Sequence, residues 1–474
     1  MATAFDSHIT WAQLKTALSR RLGDSTKTYW SDPELAVYLT ETLRTWGLLT
    51  GFWRDTGVFV TAASTPFYDL TTLKNSGGDS ILSYTVKDQD TLTIIQYHLL
   101  EPSTGNSWTG SEQFVLADIT NSMQKRRDQV IAETGCVVAR TTGIPITVNS
   151  SSKFLADNII AIRRLAFVTA GGVITPLLPS DILSQRNYAS DELYTPGDPY
   201  SYSSASARPT EIILVPPPSQ PGTLDLVAVQ TGIPLNPVVG VLLGLPDDYS
   251  WAIKWGTLAD LLAKDGPAKD AIRSAYCERR FKLAIELIKI APVVVNATIN
   301  GVPLDTDSLT NMDAANSSWQ STTGVPNSIA SIRTLVAFSP SPDGIYSTSF
   351  DVVSKAPLPV ADTDFVQIGR EQLDPILDYA EHIALFKSGG EEFRASFKGA
   401  ENFFNAAIAY NERLASMNSN VLTLMAQSSA DTEDRQPRVS GGLGALQGQP
   451  VSGGSATLDQ NQQQTNPDDG QMGQ

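Results

Sequence analysis

Residues 245–262 read LPDDYSWAIKWGTLADLL, and this stretch decides what kind of fold the chain builds. Trp251, Trp255, Leu258 and Leu262 recur at intervals of four, three and four, which places them on one face of an α-helix. Asp247 stands where that helix begins. It reads as the cap, since a carboxylate there meets free N–H groups and the positive end of the helix dipole. Gly266-Pro267 breaks the helix. Ile272, Tyr276, Arg279 and Leu283 then carry a second one to about Ile290, and Pro292 ends it. The expectation is a helical hairpin over 246–292.

Working outward, the same devices recur. In the N-terminal helical pair (1–55), Thr10-Trp11-Ala12-Gln13 fits a capping box, with Ile9 and Leu14 as its hydrophobic staple. Trp11, Leu14, Leu18 and Leu22 keep helical spacing up to Gly23, a natural C′ residue. Ser31-Asp32-Pro33-Glu34 repeats the box, with Trp30 and Leu35 as staple. Leu35, Leu39, Leu43, Trp46, Leu49 and Trp53 form the stripe that follows. A further helix (109–135) begins near Thr109 to Glu112 and runs through Phe114, Leu116, Ile119, Met123, Val130 and Ile131 to Gly135. Its Lys125-Arg126-Arg127 reads as a solvated or partner-facing surface. The last pair (371–425) begins at Asp374-Pro375. Shifted by 123 positions, Leu262, Lys264, Gly266, Phe281, Ala284 and Ile285 fall on Leu385, Lys387, Gly389, Phe404, Ala407 and Ile408. Duplication explains that echo, and so does the pattern any two helical hairpins share.

Between the helices the period falls toward two. Residues 56–108 hold Val58-Phe59-Val60, Phe67-Tyr68 and Thr93-Ile94-Ile95-Gln96-Tyr97, read as short strands. Residues 136–245 hold strand candidates at Ile144–Val148, Ile159–Val168, Val173–Leu178, Glu211–Val215 and Thr223–Val229. Pro145 confines the first to a sheet edge. Tyr194 to Pro209 reads as a long Tyr/Ser/Pro-rich surface loop. Residues 293–370 are strand and loop again. From 426 to 474 large apolar residues are scarce and aromatics absent, so this segment cannot offset its ordering entropy alone. It reads as a disordered tail, either dispensable or an arm that orders on a partner. The fold class is α+β: a helical-bundle framework interrupted by β-rich insertions, with a disordered C-terminal tail.

Composition narrows the function. Among 474 residues, 34 Lys and Arg face 50 Asp and Glu, a net charge of −16. That balance opposes a grip on phosphates and repels an anionic membrane surface. Two cysteines exclude a disulfide scaffold. No secretory leader is visible, and the best apolar run, Val238 to Leu245, is interrupted by Gly240 and Gly244. No P-loop, dinucleotide fingerprint, H-E-x-x-H, C-x-x-C or G-x-S-x-G occurs. Cys136 with His98 is a poor dyad, Cys277 reads as a buried small hydrophobe, Asp247-Asp248 as caps, and His382 as a surface or partly packed residue. No catalytic, cofactor-binding or metal-ligating residue is expected, and the chain does not read as an enzyme. The stripes rich in Leu and Trp read as core, or as faces for a neighbouring subunit, since tryptophan is enriched at interfaces. On the second reading the interface candidates are Trp30, Trp46, Trp53, Trp251, Trp255 and Tyr276.

Two stretches carry a resemblance. Trp11-x-x-Leu14, Arg21-Leu22-Gly23-Asp24, Tyr29-Trp30-Ser31-Asp32-Pro33-Glu34-Leu35 and Tyr38-Leu39-x-Glu41-x-Leu43-Arg44-x-Trp46 resemble N-terminal helices of tailed-bacteriophage virion proteins. Leu245–Leu262, followed by Ala275-Tyr276-Cys277-Glu278-x-Arg280-Phe281, is similar to the helical part of head-to-tail adaptor (connector, or neck) proteins. About a quarter of the chain is covered. Such adaptors are generally shorter and mostly helical, so the β-rich insertions depart from the pattern. The resemblance implies a homo-oligomeric ring, of twelve copies, beneath the portal protein. That ring joins the filled head to tail or tail-fibre proteins, with genomic DNA passing through it unbound. It implies a place in the virion after synthesis in the host cytoplasm, with no cofactor and no membrane. A tail or baseplate protein that anchors fibres or binds host glycans is the other expectation.

Overall fold

The computed structural model describes the backbone over residues 9–429 except 76, 102–107, 109–111, 182–193, 205–210 and 292–293, and side chains as far as 416. Its helical body begins with α1 (Trp11–Arg21) and α2 (Asp32–Thr50). The Thr10 box forms in full: Gln13 N donates to Thr10 Oγ1 (3.3 Å) and Thr10 N donates to Gln13 Oε1 (3.0 Å). Ser31 caps α2 through its backbone alone, without a side-chain bond, and Asp32 instead accepts from Lys15 and Lys27. α3 (Asp88–Leu99) and α4 (Leu116–Thr134) complete the N-terminal half of this body.

α3 corrects the strand expected at Thr93–Tyr97. β-branched residues favour a strand only weakly, and here tertiary packing overrides them. Asp88, Thr91, Leu92, Ile95 and His98 are buried at helical spacing, and Asp90 caps the first turn by accepting from Lys87 N. α4 starts at Leu116, later than the expected Thr109–Glu112, and ends at Gly135 as expected, with φ +59°.

Three β segments follow the sequence reading closely: β5 (Ile159–Thr169), β8 (Glu211–Val215) and β9 (Gly222–Gln230). With β3 (Val138–Ile146), β4 (Ser152–Phe154), β6 (Ile174–Pro179) and β7 (Ser201–Ser204) they build a seven-stranded sheet in the order β3-β9-β5-β6-β7-β8-β4. Pro145 lies on β3, an edge strand, where its missing donor costs no ladder bond. β7 falls inside the stretch expected as a loop over 194–209. Of that stretch, residues 205–209 lie outside the described residues.

α5 (Ser250–Ala263) and α6 (Ala271–Ile290) form the expected hairpin. Every residue of α5 from Ser250 to Leu262 is buried except Asp260, because α3, α4 and α6 all pack on it. The next β-rich stretch carries β10 (Val294–Ile299), β11 (Val302–Pro303), β12 (Asp305–Asp307), a short α7 (Leu309–Ala315), β13 (Thr323–Gly324), β14 (Ser328–Ile332), β15 (Leu335–Ser339), β16 (Ser341–Pro342) and β17 (Ser347–Val353). It is not a separate insertion. β17 pairs with β1 (Arg54–Val60) and β15 pairs with β2 (Phe67–Asp69), so segments 56–108 and 293–370 share two four-stranded sheets around Phe338 and Phe350.

α8 (Arg370–Ser388), α9 (Gly390–Ala395) and α10 (Phe397–Ser429) close the body. α8 begins four residues before the expected Asp374 and takes Pro375 inside the helix. α10 extends beyond residue 425, the expected end of this pair, and residues 430–474 of the expected tail lie outside the described residues.

Candidate functional site

A buried group of ionisable side chains lies inside the helical body. α2 supplies Glu41, α3 His98, α5 Lys254 and Trp255, and α6 Arg280, each at least nine-tenths buried. The Glu41 carboxylate accepts from Lys254 Nζ and from Trp255 Nε1 (2.6 Å), with Arg280 Nη2 at 3.8 Å. The Arg280 guanidinium lies 4.8 Å from the Tyr379 ring centre, 5.4 Å from Trp255 and 5.6 Å from Trp251. Burial pushes the His98 pKa well down, and the neighbouring Lys254 charge adds to this. The imidazole Nε2 lies 3.3 Å from Lys254 Nζ, within hydrogen-bond reach. Burial also lowers Lys254, against the pull of Glu41. Two cations share one carboxylate, and aromatic faces take up the rest of their field. Every member of the group is buried. It clamps α2, α3, α5 and α6 to one another.

Two smaller clamps repeat the idea. Glu34 accepts from Tyr38 Oη (2.5 Å) and Lys387 Nζ (3.0 Å), and Lys387 also donates to the Tyr29 carbonyl. His382 lies between Tyr276 Oη (2.7 Å) and Ser396 Oγ (2.8 Å), and burial drives its pKa down to about 3.

The six aromatic interface candidates are corrected by their burial. Trp30, Trp46, Trp53, Trp251, Trp255 and Tyr276 are each no more than 7% exposed and present no face to a partner. Trp30 Nε1 donates to the Ala384 carbonyl and Trp53 Nε1 to that of Gln367. Trp46 packs on Phe403 and Tyr410. Core and interface select the same large apolar residues, so their type could not say which they were. Lys125-Arg126-Arg127 is corrected in part. Lys125 is exposed, but Arg126 lies over Phe281 and pairs with Asp260 and Glu278, and Arg127 is wholly buried.

His98 and Cys136 do not form a dyad. His98 faces Tyr38, Trp255 and Phe386, while Cys136 sits beside Thr134, its thiol pushed up by burial to about 11. Cys277 is buried and its thiol is raised further. Asp247 does not cap its own helix by its side chain. Its carboxylate accepts from Ser83 Oγ, Thr85 Oγ1 and the Thr85 and Val86 amides, pinning residues 83–86. Burial would raise Asp247, but these bonds outweigh it and hold the carboxyl below its usual range. Asp248 is raised to about 6 by burial, against Arg44 at 3.6 Å. It borders a cavity of about 70 Å³ whose wall includes Leu48, Leu82, Pro246, Tyr249 and Val353. Ser354 and Lys355 complete the polar part of that wall.

Among the described residues no group of His, Cys, Asp and Glu is placed to hold a metal ion, and no helix is long and apolar enough to cross a membrane. No family model matches the chain, and no curated protein matches it. Glu41, Lys254 and Arg280 went unread in the sequence. The available signal was a charge set within an apolar helix face, as in Tyr38-x-x-Glu41 and Trp251-x-x-Lys254.

Proposed function

We propose that the chain is a structural virion protein of a tailed bacteriophage: a head-to-tail adaptor whose copies form a ring, joining portal to tail around the DNA channel. One observation carries the reading. The two stretches that resemble virion and adaptor proteins, 11–46 and 245–281, are clamped to each other by Glu41, Lys254, Trp255 and Arg280. Arg44 adds bonds to Ser250 (3.1 Å) and Asp248 across the same junction. A resemblance spread over distant segments thus belongs to one piece of structure.

The chain's chemistry suits that role. Its ionisable clusters are spent on internal clamps, and its excess charge is negative, so a duplex beside it would be repelled rather than held. The test is negative-stain electron microscopy of the full chain, alone and with its portal protein. Rings, or density under the portal, are expected. Monomers that bind no virion component would overturn the proposal. Duplex DNA should show no shift with the purified protein even at low salt. A salt-sensitive shift would contradict the acidic-wall argument.

A further inference from the structure

α10 outruns the two long helices it packs on. It lies antiparallel to α8: Asn402 Nδ2 donates to Asp378 (3.4 Å), and Arg413 Nη1 to Glu371 in the first turn of α8 (2.9 Å). Against α2, Asn411 Nδ2 donates to the Leu49 carbonyl (2.9 Å), one residue before that helix ends at Thr50. Both supports thus stop at the level of residues 411–413, while α10 continues to Ser429. With the rise of an α-helix, residues 414–429 reach about 24 Å beyond them.

The overhang reads LASMNSNVLTLMAQSS, without one charged residue in a chain of net charge −16. The spacing that seats α10 on the body carries straight into it. Ala400, Phe403, Ala407 and Tyr410 recur in steps of three and four. The first three are buried, and Tyr410 packs on Trp46 and Phe52. Leu414, Met417, Val421 and Leu424 continue the same steps, so one a/d heptad seam runs the length of the helix. Its first half is used by the body. Its second half lies past the ends of both supporting helices. Ser416, Asn418, Ser419, Asn420 and Thr423 are weak helix formers, and a helix so short is marginal in water unless an apolar face is packed. The overhang therefore calls for a partner outside its own body.

Resting on the ring reading, we infer that residues 414–429 of neighbouring copies pack on one another as a parallel helical bundle, with Leu414, Met417, Val421 and Leu424 as its seam. Charge argues that the partner is a second copy. Coiled coils select an unlike partner through charges at the e and g positions. Here those positions hold Asn418, Asn420, Met425 and Gln427, none of them charged. Such a seam matches itself, and copies of a −16 chain can share it without like-charge repulsion. Rotation about a ring axis keeps equivalent residues at one height, so the seams meet in register.

The test uses the full chain and light scattering coupled to size-exclusion chromatography. Wild-type protein should run as a multimer. The double variant Val421→Asp, Leu424→Asp should run at monomer mass, with the near-ultraviolet circular dichroism of the body's tryptophans unchanged. Ser419→Asp, Ala426→Asp adds the same charge at f positions, off the seam, and should stay multimeric. A short bismaleimide should link Leu424→Cys protein to itself, but not Ser419→Cys protein. Cys136 and Cys277 are buried and stay silent. If the two double variants behave alike, or Leu424→Cys fails to cross-link in assembled protein, the seam proposal falls while the ring reading stands. Wild type that is monomeric at every concentration overturns the seam and leaves the ring to be judged with the portal. A species no larger than a dimer, linked through residue 424, supports the seam and counts against the ring.

Discussion

Lys264 and Lys387 stand at matching positions of two helix–break–helix segments, yet their surroundings differ. Lys264 is 55% exposed and pairs with Asp118 on the surface, whereas Lys387 is 6% exposed and closes on buried Glu34. The contrast repeats along the hairpins. Ile285 is 2% exposed and its counterpart Ile408 is 57% exposed. Asp248, where α5 begins, is raised to about 6, while Glu371 in the first turn of α8 is lowered by its bonds to Arg413 and Gln372. The α5–α6 hairpin lies at the centre of the body, with helices on several sides. In α8–α10 it is α8 that is enclosed, and α10 leaves one flank to solvent. The teaching is that a shared pattern of apolar residues and glycines fixes where helices break. The depth at which each side chain lies comes from whatever else packs there.

That contrast can be broken by measurement. The largest effect is expected for Glu41→Leu, which leaves Lys254 and Arg280 buried without a carboxylate and should cost roughly 3–5 kcal/mol in denaturant unfolding. A loss of under about 1 kcal/mol would mean the clamp contributes no more than a surface pair. Next, Lys387→Met should cost about 3 kcal/mol by stranding Glu34, against less than about 1 kcal/mol for Lys264→Met. Equal losses would erase the difference between the hairpins.

A third test uses pH. The Asp248 carboxyl titrates near 3.8 in an unfolded chain and at about 6 in the fold, so between these values the fold holds more protons. Its contribution is therefore favourable at low pH and is lost as pH rises through about 6. Asp248→Asn should be more stable than wild type at neutral pH, by at most about 3 kcal/mol, and the gap should close towards pH 4. Glu371→Gln should show no such gap, and a constant offset across the range for Asp248→Asn would refute the assignment. Smallest of all, Ile285→Val should cost about 1 kcal/mol and Ile408→Val nothing measurable by thermal unfolding.

What was legible in the sequence follows the same division. α1, α2, α5 and α6 could be read because caps, breaks and stripes lie within one helix length of each other. The strands at 159–169, 211–215 and 222–230 could be read from composition and alternation. α3 could not, because Thr93-Ile94-Ile95 has strand-like residues and only the body packed against Leu92 and Ile95 makes it helical. The pairing of β1 with β17 was equally hidden, since no local signal links residues so far apart. At the site level, the absence of familiar catalytic motifs was visible at once. The clamp around Glu41 was not, because its members come from four helices. The tryptophan stripes could be read as core or as subunit faces, and only their burial in the folded chain places them inside it.

Strand pairing also bears on how the protein is made. β1 ends at Val60, but its partner β17 starts at Ser347, and β2 waits for β15. A ribosome adding about 5–20 residues per second leaves those early strands without their ladders for on the order of tens of seconds. Through that interval Val58, Phe59 and Val60 are available to any other nascent chain. Synthesis in a crowded cell thus makes the folding of the first hundred residues depend on the last hundred or so, and gives chaperones their window on this protein.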